Sequence, residues 1–142
     1  MTDVAAILDS YFRGVSPPSA WYIGLVDYES FVALDPVSDT IASHTGWTEF
    51  TDYAETTRQV WSPGVVIGTQ PASVNNPGGT IITPNSDGQA IAVFLCDNDT
   101  KGGATGQMIG PFYFEEGPRD LVANTPFEIN LNIVLKRNTP TS

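Results

Sequence analysis

The sequence predicts a mainly β protein, an antiparallel β-sandwich or jelly-roll-like barrel with one short N-terminal helix. Apolar or alternating runs recur at spacings of roughly ten residues, which is typical of sandwiches and barrels. Turn-forming residues separate these runs, and the chain contains 13 glycines and 11 prolines, which helical bundles tolerate poorly. At 142 residues and 41% hydrophobic content, the chain has the size of one domain with a proper core.

One segment, residues 2–13, carries a helical period. Its apolar residues recur at positions i, i+3, i+4, i+7 and i+8, which places them on one face of a helix. These residues are Val4, Ile7, Leu8, Tyr11 and Phe12. Thr2 or Asp3 can cap the start, and Gly14 followed by two prolines ends the helix. We expect the helix to dock either on its own domain or on a neighbouring subunit.

The rest of the chain reads as strands and loops within one domain, residues 1–142, with a β-sandwich over 20–137 and a polar tail over 138–142. Extended segments are predicted at 21–27, 59–61, 65–68, 79–83, 90–97 and 107–115. Residues 35–47 are predicted to form a long loop that holds one helical turn near 39–43. The last predicted strand is the clearest, because apolar residues alternate with mostly polar ones from Phe127 to Lys136.

Composition restricts the partners. Sixteen acidic residues against six basic ones give a net charge of -10, which repels nucleic acid phosphates and anionic membranes. Neither is expected as a partner. No secretory signal pattern and no apolar run of membrane-spanning length is found, so we expect synthesis in a reducing cytoplasm. The single cysteine, Cys96, lies in an apolar run and is expected to be a buried, inert thiol.

Candidate catalytic and metal-binding residues are few. His44 is the only histidine, and a loop histidine is most often a structural hydrogen-bonding residue. Residues 97–102 resemble a calcium loop, but Lys101 stands where a ligand oxygen is required. Glu115 and Glu116 are expected on a strand, where neighbours point to opposite faces and cannot cooperate. We therefore expect no enzyme activity, no catalytic residue, no metal and no cofactor.

Three motifs in combination resemble a group of small virion structural proteins of tailed bacteriophages. The similarity runs from about residue 7 to residue 135. Its motifs are Trp21-Tyr22-Ile23-Gly24-Leu25-Val26, then Gly46-Trp47-Thr48-Glu49-Phe50-Thr51-Asp52-Tyr53 with Arg58 and Trp61-Ser62-Pro63-Gly64, and Thr100-Lys101-Gly102-Gly103. The segment before the last strand, Asn124-Thr125-Pro126, departs from the Gly-Asp turn expected of relatives.

The resemblance implies a capsid decoration or cement protein, bound to the exterior of the major capsid protein shell and made in the host bacterial cytoplasm. It also implies a homo-oligomer, with a trimer favoured over a dimer. A tail, neck or fibre component of the virion is the main alternative. An acidic binding domain and an unrecognised hydrolase are two further alternatives.

Adhesion of this kind depends on a few apolar or aromatic contact residues. The expected contact residues are Val4, Ile7, Leu8, Phe12, Tyr28, Phe31, Trp47 and Tyr53. Among the tryptophans, Trp21 is expected in the core, whereas Trp47, which stands in a loop segment, fits either core or interface.

Overall fold

A computed structural model describes residues 2–69 and 71–135, with side chains from Ile7 onward. The described chain is mainly β, with 37% strand and one short helix, α1 (Thr2–Arg13). The strands are β1 (Trp21–Asp27), β2 (Glu49–Phe50), β3 (Gln59–Trp61), β4 (Ala72–Val74), β5 (Thr80–Ile82), β6 (Gly88–Cys96), β7 (Met108–Tyr113), β8 (Arg119–Leu121), β9 (Phe127–Ile129) and β10 (Ile133–Leu135). All pairings among these strands are antiparallel.

The central sheet is built on the long pair of β1 and β6. Its strand order is β2-β1-β6-β7, with β3 also paired to β1 and β8 also paired to β6. Two small sheets, β4 with β10 and β5 with β9, complete the described strands. None of these sheets closes into a barrel within the part of the chain that the structure describes.

Both faces of the central sheet are buried, which explains why β6 is apolar along almost its whole length. Alternate residues of β6 enter different cores: Leu95 packs in one core and Phe94 in the other. The first core is closed by residues of the small sheets and their links, including Ile129 and Leu131. The second core is closed by the long loop 28–48, which contributes Ile41 and Trp47.

Gly24 on β1 is required by this packing. Gly24 pairs with Phe94 across the two strands, and a Cβ atom at Gly24 would lie 2.1 Å from the tip of the Phe94 ring. Real Cβ contacts are never this short, so any larger residue would displace the ring from the second core.

The structure corrects several details of the predicted strands. The last strand is interrupted after Ile129, because β9 pairs with β5 while β10 pairs with β4 in a different small sheet. Residues 65–68 make only one bridge, at Ile67, and residues 39–43 form turns in place of a helical turn. Glu115 and Glu116 lie in the turn after β7, so the prediction that they stand on a strand is wrong.

Candidate interaction surfaces

Three aromatic residues of the sequence motifs, Trp47, Tyr53 and Trp61, lie inside the protein. Trp47 is 2% exposed and Tyr53 is 3% exposed, and Trp61 is also buried. The indole Nε1 of Trp61 donates a hydrogen bond of 3.2 Å to the Leu131 carbonyl oxygen, which ties β3 to the link between β9 and β10. Trp47 and Tyr53, expected as contact residues, are therefore core residues with no surface to offer a partner.

His44 serves to hold Trp47 in place. The two rings stack with centroids 3.8 Å apart, and His44 Nδ1 donates to the Trp47 carbonyl oxygen over 2.8 Å. On its other side, Trp47 Nε1 donates to Asp39 Oδ2 at 3.0 Å. The only histidine of the chain thus anchors the loop that covers the second core.

A buried ion pair lies where β2, β3 and the loop after β6 meet. The Arg58 guanidinium donates to both carboxylate oxygens of Glu49, at 2.9 Å and 2.7 Å. It also donates to the carbonyl oxygens of Asn98 at 2.7 Å and Gly103 at 3.1 Å. Gly102 N adds a hydrogen bond to Glu49 Oε1. We call this arrangement the Arg58 clamp, and it fixes the loop 97–106 to the central sheet.

Electrostatics favour the charged state of the clamp. Burial by itself lowers the pKa of Arg58, but the hydrogen bonds and negative charge of Glu49 outweigh burial, and the net shift of the pKa is upward. The guanidinium also lies 5.4 Å from the centre of the Phe94 ring. The sequence indicates Arg58 only as part of a motif, because nothing in the local sequence shows which carboxylate it contacts.

The loop 97–102, which resembles a calcium-binding loop in sequence, is held in place by the side chain of Lys101. Lys101 Nζ donates to the Tyr53 carbonyl oxygen at 2.8 Å and stands 4.1 Å from the centre of the Tyr53 ring. Within the described residues, no group of three or more His, Cys, Asp or Glu side chains could hold a metal ion. The loop 97–102 is therefore a structural turn clamped by Arg58 and Lys101.

Two titratable groups are buried close to the clamp. Burial raises the pKa of the Cys96 thiol, as expected of an inert cysteine, and Cys96 forms no disulfide. Burial is also the main cause that raises the pKa of Tyr53, with the negative charge of Glu49 acting in the same direction. The Tyr53 hydroxyl has no hydrogen-bond partner among the described residues.

Helix α1 keeps most of its described apolar stripe at the surface. Ile7 and Leu8 are about half exposed, and Phe12 is 74% exposed. Between α1 and the chain that follows it lies an apolar groove of about 400 Å³, which also touches Ile109 of β7. Ile7, Leu8 and Phe12 are thus available for contact, whereas the side chain of Val4 lies outside the described residues.

A second exposed aromatic group stands near the end of β7. Tyr28 is exposed and Phe31 half-buried, and their ring centres are 6.4 Å apart. Phe31 also meets Tyr113 edge to face at 6.0 Å. Tyr113 was not among the expected contact residues, and strand alternation in β7 is the only sequence signal that could have indicated its exposure.

The described surface is acidic with little free positive charge. Arg58 and Lys101 are engaged as described above, Arg13 pairs with Asp9 at 3.1 Å, and Arg119 pairs with Glu116 at 3.1 Å. Every described cation thus has an anionic or carbonyl partner. No described helix has the length and apolar character needed to cross a membrane.

Comparisons with known proteins leave the family open. No protein-family model matches the chain, and neither the curated proteins nor the solved structures contain a match. The resemblance to bacteriophage virion proteins therefore stays a prediction.

Proposed function

We propose that this chain is a structural protein of a tailed bacteriophage virion, and most specifically a decoration or cement protein that binds and stabilises the shell of the major capsid protein. We further propose that the central and small sheets act together as a β-sandwich. The proposal combines the sequence resemblance with one observation, the exposed apolar stripe of α1. An amphipathic helix with this stripe at the surface has the form of a docking element.

The way the protein uses its polar groups supports adhesion over catalysis. His44 anchors a core tryptophan, and the buried Arg58 and Glu49 neutralise each other in a clamp. The adjacent carboxylates Glu115 and Glu116 stand in an exposed turn, where Glu116 is paired with Arg119. In this proposal the protein binds neighbouring molecules and transforms none.

The charge of the chain indicates which surface it would meet. A net charge of -10 favours a partner with basic patches, since complementary potentials steer association and like charges oppose it. In the proposed role this partner is the exterior of the major capsid protein. The apolar residues of α1 would supply the desolvated centre of the contact and the acidic residues its rim.

Copy number per particle tests the proposal. Quantitative mass spectrometry of purified virions is expected to find this chain in numbers comparable with those of the major capsid protein. A copy number of only a few to a few dozen would favour the tail, neck or fibre alternative. Absence from mature particles would contradict any structural role in the virion.

A further inference from the structure

One corner of the molecule is formed by the two-stranded sheet of β4 and β10 and by residues 65–67, which join β4 through a single bridge. Ile67 bridges Ser73 of β4, and Ser73 pairs with Val134 of β10. Because partners across antiparallel strands share one side of a sheet, Ile67, Ser73 and Val134 form one row. The neighbouring row holds Val74 and Ile133, which pack against the first core. The row of Ile67 and Val134 therefore faces outward. We call this region the charge-free corner.

The charge-free corner presents aliphatic side chains to solvent. Val65, Val66 and Ile67 are consecutive and all strongly exposed, with Val66 at 67%. Val134 and Leu135 of β10 add further exposed apolar surface on the same corner. Apolar residues grouped in this way on a strand and its neighbours mark a surface that becomes covered.

The outermost segment of this corner, residues 65–67, leaves backbone groups unpaired beside its single bridge to β4. Ile67 both donates to and accepts from Ser73, at 2.8 Å and 2.9 Å. In an antiparallel ladder the next residue along the strand directs its N–H and C=O the other way. The backbone groups of Val66 therefore point away from β4, and they form no hydrogen bond with any residue that the structure describes. An unpaired edge of this kind is a template for another strand.

Charge distribution identifies the occupant of this edge. No charged residue stands between Arg58 and Asp87, or between Glu128 and Lys136, which covers all the strands of the corner. Elsewhere the chain carries a strong excess of acidic residues, so two copies that meet through other described surfaces repel each other. At this corner two copies can approach without that repulsion.

We infer that the charge-free corner is a self-association surface, through which two copies of this chain pair as a two-fold symmetric dimer. A single open edge is its own complement, since two copies of one strand related by a two-fold axis run antiparallel. The side chains of Val65, Val66 and Ile67 then become covered in both copies. This proposed dimer differs from the trimer that the resemblance favoured. It depends on the chain alone, so it holds or fails separately from the proposed role in the virion.

Sedimentation velocity of the purified protein tests this inference. Over concentrations from about 1 to 500 μM, a range suited to interfaces of modest size, the wild-type protein is expected to shift from monomer to dimer. Val66→Lys places a charge in each half of the paired edge, and we expect it to weaken dimerisation at least about tenfold. Ile67→Lys provides a second variant at the same edge, and circular dichroism checks that both variants fold.

The matched control is Val32→Lys. Val32 is 80% exposed and lies in the loop over the second core, away from the corner in sequence and among acidic residues. This control is expected to dimerise as the wild type does. A wild-type protein that stays monomeric over the whole range, or forms a trimer, would overturn the inference. So would folded Val66→Lys and Ile67→Lys variants that dimerise like the wild type.

Discussion

The Arg58 clamp and the charge-free corner differ in how completely their polar groups are satisfied. In the clamp, one guanidinium and one carboxylate, both buried, share a network of hydrogen bonds with backbone groups of the loop 97–106. In the corner, the backbone of Val66 finds no partner among the described residues, and apolar side chains stand in solvent. The buried charges of the clamp are hydrogen-bonded within the protein, whereas the corner leaves backbone groups unpaired and apolar side chains exposed.

Contact surfaces in a protein of this kind lie where apolar side chains stay exposed. Trp47 and Tyr53 were expected as contact residues, but both are buried and the polar groups around them stabilise the fold. The surfaces that can still gain free energy from a partner are those with exposed apolar side chains, namely the corner, α1 and the aromatic group of Tyr28, Phe31 and Tyr113.

Breaking the clamp is expected to give the largest effect. Glu49→Ala leaves the Arg58 guanidinium buried without its counter-ion, and removing one partner of a buried pair costs about 3–5 kcal/mol in the free energy of unfolding. Urea denaturation of the wild type and the variant measures this loss. The same change leaves the corner intact, so any dimer should weaken only through unfolding.

The control for this experiment is Glu116→Ala, which removes the carboxylate of the exposed pair with Arg119. Exposed ion pairs contribute only about 0–1 kcal/mol, so this variant is expected to unfold close to the wild type. Equal losses of stability for Glu49→Ala and Glu116→Ala would mean that the clamp has no special role in holding the loop.

A smaller effect is expected at Tyr53, which lies close to the clamp. Tyr53→Phe removes a buried hydroxyl without a partner, and such a group costs about 1–3 kcal/mol. We expect the variant to be as stable as the wild type or more stable at pH 7. Because the pKa of Tyr53 is raised in the folded state, wild-type stability falls as the pH rises above about 10, where the unfolded tyrosine ionises.

Urea denaturation at pH 7 and at about pH 11 separates these two contributions, since the model tyrosine titrates near pH 10. The stability advantage of Tyr53→Phe over the wild type should grow at the higher pH. Tyr11→Phe, at an exposed position on α1, is the matched control and should show no such growth. A marked loss of stability in Tyr53→Phe at pH 7 would show that the hydroxyl has a stabilising partner.

The elements predictable from the sequence are those whose signal is local. The period of residues 2–13 and the apolar runs around Ile23 and Phe94 led to α1, β1 and β6, which the structure confirms. The prediction of one continuous last strand was wrong, because an unbroken alternation of side chains cannot show that β9 and β10 pair with different strands. The buried state of Cys96 also followed from its local sequence.

The candidate surfaces were harder to predict, because exposure depends on what the rest of the chain covers. Trp47 is buried because loop 28–48 folds over the second face of the central sheet. No local sequence pattern predicts this packing. The pairing of Arg58 with Glu49 joins β2 to the residue that precedes β3, and these positions have no shared local pattern. The open edge at Val66 follows from its neighbour pairing with Ser73, which sequence alone does not show.

The proposed adhesion to a phage shell is tested most directly by adding the purified protein to particles assembled without it and measuring its bound stoichiometry against the major capsid protein. We predict saturable binding by the wild type, strong loss of binding by a folded Leu8→Glu variant of α1, and wild-type binding by Val37→Glu, an exposed control position. A wild-type protein that leaves the shells bare at saturating concentration would contradict the proposed function.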